Sequence, residues 1–497
     1  MNHFFRVKTL EQVMTLVPIF PTVGIETVHI SKAYFRVLAT DINADQDIPG
    51  FRRATMDGYA VHSGSTFGAS ESNPAWLTVT GSILMGDVPE FSIQSGQAAK
   101  ISTGGMLPDG ADSVVMVEHT ESVNSGSVKN SETVEHSGKG ENCGIVEDNG
   151  TVEIYKSVPP LQNMIDKDED FKKGEKILKA GTLLRPQEIG LAAALGICEL
   201  PVYKIPKVGI ISTGDEIVPI DKTPSMGKIR DINSHTLAGL IIEAGAEPIQ
   251  YGIIKDNEQA LFDMCKKALY ETDMVLISGG SSVGTRDFTV NVLSSLKDTE
   301  ILVHGISISP GKPTILGKSF LAQDSSFNTT LVKNELISES GIKPIWGLPG
   351  HVVSAMVVFK VVVAPFLNKI RGLAICSDDF EAENRGTKSK AASSLENIKI
   401  PATLTRNVAS AQGRTDFIRV KLFRKFDVTS NNKSEKKSIS KDGCLKYKYE
   451  LFAEPILGKS GLIRTMVMAD GLLEIGENVE GLEKGELVYI IPLRAFL

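Results

Sequence analysis

The stretch from Asp273 to Asp287, DMVLISGGSSVGTRD, constrains the fold more than any other part of the chain. Its apolar run, Met274 to Ile277, is too short for an ordinary helix and leads into Ser278, Gly279, Gly280, Ser281, Ser282, Val283 and Gly284. That order predicts a buried strand entering a glycine-rich loop. Glycines let backbone N–H groups converge on an anion without interference from a Cβ, and a helix starting near Asp287 adds the positive end of its dipole. A plain tight turn is the simpler account of a lone Gly-Gly. Asp287 at the end of the loop argues for more, because a carboxylate beside a phosphate needs a cation between them.

The surrounding chain predicts a doubly wound α/β domain. KVGIIST, PIQYGII, Ile301 to Ser307, Thr314 to Leu316 and Pro344 to Leu348 read as strands. NSHTLAGLIIEAG and Glu258 to Tyr270 read as helices, as does the long apolar segment after GLPGHVVSA. In such sheets ligands lie outside the carboxyl ends of the strands. Four loops fall there: STGDE with Thr213, Gly214 and Glu216; the SGGSSVGTRD loop; SPGKP with Gly311 and Lys312; and LPGHVVSA with Pro349, Gly350 and Ser354. Asp256 follows a further strand. Backbone donors, hydroxyls, one lysine and several carboxylates are what holds a polyphosphate through a divalent cation. Taken singly each has a plainer reading: Asp256 as the N-cap of its helix, Glu216 as a solvated acid, Lys312 as a turn residue, Ser354 as a helix residue facing solvent. Their convergence on one sheet edge favours the site.

At 497 residues the chain exceeds a single core, and three or four domains are expected. Helical spacing predicts helices over Thr9 to Val17, Ser31 to Ala39 and Pro186 to Leu195. Short alternating strands from Trp76 to His119 predict a small β domain, with Asp57 in FRRATMDGYAV at a turn before it and Thr103 in ISTGGMLPDGAD on one of its loops. IKIPATLTRNV, DFIRVKLF and LVYIIPL predict a small C-terminal β barrel. Polar stretches at Thr120 to Gly150, Ala322 to Gly341 and Asp427 to Lys446 are read as surface insertions. The net charge of -7 disfavours a nucleic-acid partner. Five scattered cysteines disfavour a disulfide framework, a zinc site or an iron–sulfur site. The N-terminal apolar stretch is short for a signal, and the apolar run Met356 to Leu367 is interrupted by Lys360 and Pro365, so no apolar run of membrane-spanning character and a cytoplasmic protein are expected. GxxxxGK[ST], GxGxxG after a strand and GxSxG are all missing, which sets aside P-loop, dinucleotide and hydrolase-elbow chemistry.

Ten segments in order resemble the molybdopterin molybdenumtransferase family, the MoeA type that includes the gephyrin E domain: TMDGYAV, ISTGGMLPDGADSVVMVE, FKKGEKILKAGTLL, ISTGDEIV, IRDINS, SGGSSVGTRDFT, ISPGKP, GLPGHVVSA, GRTDFIRV and GKSGLIRTMVMADGLLEI. The resemblance covers nearly the whole chain. It implies an elongated four-domain homodimer: residues 1–50 with 151–204 as a linking and dimerisation domain, 51–150 as the small β domain, 205–375 as a MoaB/MogA-like doubly wound α/β domain, and 380–497 as the barrel. It also implies hydrolysis of adenylylated molybdopterin and insertion of molybdate into the dithiolene, with Mg2+ or another divalent cation. A molybdopterin adenylyltransferase is a candidate partner. By motif, Asp57, Asp170, Glu216, Asp256 and Asp287 match the family's acidic catalytic positions. Asp256 and Asp287 are the expected cation ligands, and Asp57 is expected to orient the pterin or assist catalysis. Thr103, Thr213, Gly214, Gly279, Gly280, Ser281, Gly284, Gly311, Lys312, Pro349 and Gly350 are assigned to substrate binding. Lys312, Ser354, Arg414 and Ser460 are the expected molybdate donors. One departure is plain: His351-Val352 stand where the family usually has Asn-Pro. A tungstate-inserting paralogue, an enzyme that only cleaves a pterin pyrophosphate, and a non-catalytic scaffold remain alternatives.

Overall fold

The computed structural model describes residues 7–123, 150–279, 285–320, 341–374, 399–426 and 449–493, with the side chains of 285–287, 425, 426 and 449 excepted. Two compact units result, one of residues 1–40, 180–193 and 197–497, the other of 41–179 and 194–196.

The first unit is built on a six-stranded sheet. Its strands are β1 (Lys207–Thr213), β2 (Glu247–Ile254), β3 (Met274–Gly279), β4 (Thr299–His304), β5 (Ile315–Phe320) and β6 (Ile342–Leu348), in the order β2-β1-β3-β6-β5-β4. β2, β1, β3 and β6 run parallel, while β5 is antiparallel to both β6 and β4. Register aligns Thr213 with Ile254 and Gly279, Ser278 with Leu348, and Ile315 with Gly347 and His304. The loops after β1, β2, β3, β4 and β6, and the one before β5, therefore leave the sheet on one edge.

Helices cover both faces, which is why these strands are apolar without a break. Alternate residues divide between two cores. Val208, Ile210, Met274 and Leu276 pack with Leu237 and Ile241 of α1 (Asn233–Glu243), whereas Ile211, Val275 and Ile277 pack with Leu261 and Cys265 of α2 (Glu258–Glu271) and Val292 and Leu293 of α3 (Thr285–Ser295). Contrary to the expectation that no apolar run is of membrane-spanning character, the helix Val352–Ile370, α4, is long and apolar enough to cross a membrane by length and composition. Its Val353, Val357, Phe359, Val362 and Phe366 are buried in the first core, so it serves as the central core helix. Phe366 meets Trp346 edge-on at 5.0 Å and Phe20 at 5.6 Å, a preferred geometry for aromatic pairs.

A barrel follows in the same unit. β7 (Ile400–Leu404), β8 (Thr415–Phe426), β9 (Tyr449–Pro455), β10 (Gly471–Ile475) and β11 (Leu487–Pro492) pair in the order β8-β9-β7-β11-β10, and β10 pairs with β8 to close the ring. Ile308 and Ser309, just before the PGKP turn, pair in parallel with Thr415 and Asp416 of β8. Phe417, Leu472 and Ile491 of the barrel join the core that contains α4.

Two local expectations need correction. Of the helix read over Ser31 to Ala39, only a 3-10 turn, Ile30–Lys32, forms. Phe35 takes a positive φ of 59°, and Val37 and Leu38 form bridges with Leu183 and Val202, so tertiary pairing overrides helical spacing. The polar stretch beginning at Thr120 starts with a strand, Thr120–Val123, paired with Thr151–Ile154. Residues 124–149 and the insertions at 321–340 and 427–448 lie outside the described residues.

The second unit holds a six-stranded sheet that includes Gly58–Val61, Ala75–Ile83 and Gln97–Ile101, built around Ala60, Ile83, Ala99 and Ile101 on one face and Val61, Leu77 and Val79 on the other.

Candidate active site

At the end of the sheet formed by β1 and β2, the acidic residues are placed by the strand ends themselves. Thr213 Oγ1 donates to Asp256 Oδ1 at 3.2 Å, and the Asp256 N–H donates to Asp215 Oδ1 at 3.3 Å. Asn257, not Asp256, caps α2: its Oδ1 accepts the Ala260 N–H at 2.9 Å. The plainer reading of Asp256 as a cap is therefore set aside, and its carboxylate is exposed at the edge. Gly214 and Gly279 end their strands at φ of 145° and 146°. A Cβ at Gly214 would lie 2.7 Å from Glu216 Oε2, and one at Gly279 would lie 1.8 Å from the Thr213 carbonyl oxygen, so only glycine lets the chain turn here. Gly280, Ser281 and Gly284 lie outside the described residues. Asp287 sits in the first turn of α3, with its side chain also outside them.

Asn233 was not singled out by the sequence reading. Its Nδ2 donates at 2.8 Å both to Ser278 Oγ and to the Gly350 carbonyl, tying the end of β3 to the turn before α4. The signal was present in IRDINS, a polar cluster opening a helix at a strand-end position.

Among the described residues no group of three or more acidic, His or Cys side chains forms a metal cage. Asp256 with Asp215 beside it offers hard oxygen donors on an open edge. That fits Mg2+, which is usually held by one or two carboxylates and completed by waters and substrate phosphates.

The other end of the edge is a cavity of about 920 Å³ lined by Lys312, Ser354, Arg414, Ser460, Arg419 and His351, with Gly311 and Pro349 at its wall. The pairing of Ile308–Ser309 with Thr415–Asp416 brings the PGKP turn against the GRTD segment. Ser354 is 5% exposed and lines the cavity, which replaces the reading of a helix residue facing solvent. Asp416, 3% exposed, lies behind Arg414: its Oδ1, which has no well-aligned hydrogen bond, is 2.9 Å from Arg414 Nε, and its Oδ2 accepts from Ser410 Oγ at 2.7 Å. Ser460 is gripped by the start of α4, its carbonyl accepting the Val353 N–H at 3.1 Å and its hydroxyl lying 2.7 Å from His351 Nδ1.

Arg419 was also missed. It is 6% exposed, donates Nη2 to the Gly458 carbonyl at 2.7 Å, and keeps Nε without a hydrogen-bond partner. Burial pushes its pKa below the ordinary arginine value. Its spacing in GRTDFIRV was visible in the sequence, but strand alternation alone leaves open which arginine turns inward.

Asp256 and Lys312 share an edge without sharing a pocket. Four strand spacings of ~4.8 Å separate β2 from β5, roughly 19 Å. The loops therefore form a row, suited to an extended ligand more than to a single phosphate.

In the second unit, Asp57 Oδ1 accepts the Thr103 N–H at 2.7 Å and Thr103 Oγ1 at 3.0 Å. The backbone donor first, and then the hydroxyl, hold the Asp57 carboxyl below its usual range. Asp170 is exposed, and its N–H donates to the Ile48 carbonyl at 3.0 Å. The neighbouring Asp166 is instead engaged by Arg52, with Nε 2.7 Å from Oδ1.

Comparison with known proteins agrees along the chain. Residues 7–196 match the MoeA N-terminal region (domain I and II), 209–369 a probable molybdopterin binding domain, and 446–493 the MoeA C-terminal region (domain IV). A putative molybdopterin biosynthesis protein of Methanocaldococcus jannaschii is 34% identical over 479 residues, 95% of this chain and 92% of the relative. A molybdopterin molybdenumtransferase of Nostoc is 34% identical over 350 residues, 70% of each chain. The crystal structure of a molybdopterin biosynthesis MoeA protein from Pyrococcus horikoshii superposes with a TM-score of 0.68 at 28% identity, covering 98% of this chain and 99% of that one. A second from the same organism gives 0.65 at 34%, covering 99% and 100%. With the strand-end row and the barrel-walled cavity in place, these likenesses make the chain a member of the MoeA family, the family of the molybdopterin molybdenumtransferases.

Proposed function

We propose that this protein hydrolyses adenylylated molybdopterin and inserts molybdate into its dithiolene. The observation that carries the reading is the cavity at the α/β–barrel junction, where Lys312, Ser354, Arg414 and Ser460 line one space on the same sheet edge that bears Asp256. Molybdate is a tetrahedral dianion, and a lysine, an arginine and two hydroxyls supply donors to its oxygens without any need for proton transfer. Arg414 is held by Asp416, so it meets an incoming oxyanion already oriented.

Asp256 and Asp287 are the proposed ligands of a divalent cation, Mg2+ by donor type. When bound, such a cation polarises a phosphoanhydride and neutralises the departing phosphate. The chain's own share is positional: Asp256 is held by the Thr213 hydroxyl and, through its backbone N–H, by the Asp215 carboxylate. We further propose the four-domain division given above, a homodimer, Asp57 and Asp170 as catalytic contributors, a cytoplasmic location, and a molybdopterin adenylyltransferase as supplier of the substrate.

The test is turnover of adenylylated molybdopterin by purified protein with molybdate, following AMP release and molybdenum incorporation. Asp256→Asn and Asp287→Ala should each abolish both while leaving the thermal transition in place, and chelation should do the same reversibly. A folded, fully active Asp287→Ala variant would overturn the cation role.

A further inference from the structure

His351 occupies the N-cap of α4 but makes no capping hydrogen bond with its side chain. Its ring reaches across the cavity mouth instead, placing Nδ1 2.7 Å from Ser460 Oγ. The Ser460 backbone is fixed independently by the Val353 N–H, so the contact is not relieved by moving the loop.

One proton lies between Nδ1 and Oγ, and its origin decides what the serine offers the cavity. If Nδ1 accepts, the hydroxyl hydrogen is consumed and Ser460 presents only lone pairs, which repel an oxyanion. If Nδ1–H donates, the hydroxyl hydrogen is free to turn toward the anion. We propose that His351 is a positioning residue of the oxyanion cavity that, by donating Nδ1–H to Ser460, commits the serine hydroxyl to the bound anion and links anion affinity to the protonation of the imidazole. This inference rests on the reading of the cavity as an oxyanion site. Histidine is the side chain whose charge changes near neutrality. The imidazolium donates from Nδ1 at all times, whereas the neutral ring must be held in one tautomer. Affinity therefore rises as pH falls.

The other charged groups lining this cavity are Lys312 of the PGKP turn, Arg414, Arg419 and Glu477, and Lys459 precedes Ser460 in the chain. All are kept in His351→Asn, whose amide preserves a donor toward Ser460 without titrating. The difference between wild type and this variant then isolates the imidazole.

The experiment is calorimetric titration of the full chain with sodium molybdate between pH 5.5 and 8.5, for wild type, His351→Asn and Ser460→Ala. Histidine ring ¹⁵N spectra are recorded with and without molybdate, and the thermal transition is checked for each variant. Wild type should gain roughly tenfold in affinity toward acid relative to His351→Asn, about the worth of one charge-assisted hydrogen bond. Molybdate should shift His351 to the Nδ1–H form, and Ser460→Ala should remove that shift. Parallel affinity profiles for wild type and His351→Asn, or a ring spectrum that molybdate leaves unchanged, overturn this inference while sparing the cavity reading. No binding by wild type at any pH overturns both.

Discussion

Ser309, at the last step before the PGKP turn, is paired in parallel with Asp416 of the barrel, and Asp416 in turn holds Arg414. The lysine and the arginine of the cavity thus come from two sequence-distant segments joined by a short stretch of sheet. Arg414 is about half exposed but its partner Asp416 is buried, so Arg414→Ala leaves that carboxylate without its cation and should cost about 1–3 kcal/mol. Loss of a charge-assisted donor should weaken molybdate-dependent activity by roughly tenfold or more. Asp416→Ala removes a buried acceptor of Ser410 and should cost about 1–3 kcal/mol of stability as well as activity. Urea unfolding and molybdenum incorporation measured on the same preparations separate the two, and an unimpaired Arg414→Ala would exclude the arginine from the site.

Asp256 and Asn257 are neighbours with opposite assignments. Asn257 caps α2, so Asn257→Ala should lower stability by about 1 kcal/mol and leave turnover per folded molecule unchanged. Asp256→Asn keeps the shape and the contact with Thr213 but removes the charge, and it should abolish turnover with stability held. Equal loss of activity in both, corrected for folded fraction, would return Asp256 to a structural role.

How far this was legible follows from which residues carry local signals. Strands such as Met274–Gly279, with their glycine exits, were readable because burial on both faces demands an unbroken apolar run. Periodicity also placed Asn233–Glu243 and Glu258–Glu271. The helix expected over Ser31 to Ala39 failed because Val37 and Leu38 are recruited by partners far along the chain. Asn233 and Arg419 went unnoticed for a related reason: each acts through a contact made only once distant segments meet. The strand ends share one edge as expected, but strand order spreads them along it in a row, because strand order is not written in any single strand.

Asp57 gives a pH prediction. Its carboxyl is held below the ordinary range by the Thr103 N–H and then the hydroxyl. A carboxylate with a depressed folded-state pKa adds stability that is present above its unfolded value and is lost as pH falls through the folded value. Asp57→Asn should therefore flatten the acid limb of the unfolding curve. Thr103→Ala, which keeps the larger backbone donor, should move the carboxyl only part of the way back. Carboxyl ¹³C titration of Asp57 checks this, and an Asp57 that titrates identically in wild type and Thr103→Ala would remove the hydroxyl from the account.

Cys265 tests the core beneath the site. It is fully buried on α2 among Leu261, Leu269, Val292 and Ile277, and burial pushes its thiol up to about 12. At pH 8 almost none is thiolate, so of the two cysteines among the described residues reagents should label exposed Cys198 first and reach Cys265 only when the domain unfolds. The sign of the linkage follows from the raised value. The folded state keeps the proton that the unfolded chain loses near 9.0, so this stabilisation is intact below that pH and declines up to about 12. Cys265→Ala should remove that part of the alkaline slope, whereas Cys265→Ser, which places a hydroxyl among apolar side chains, should cost about 1–3 kcal/mol. Mass-spectrometric mapping of native labelling, with urea midpoints for the two variants, decides the matter. Rapid native modification of Cys265 would mean that the α2 face opens far more readily than its packing implies.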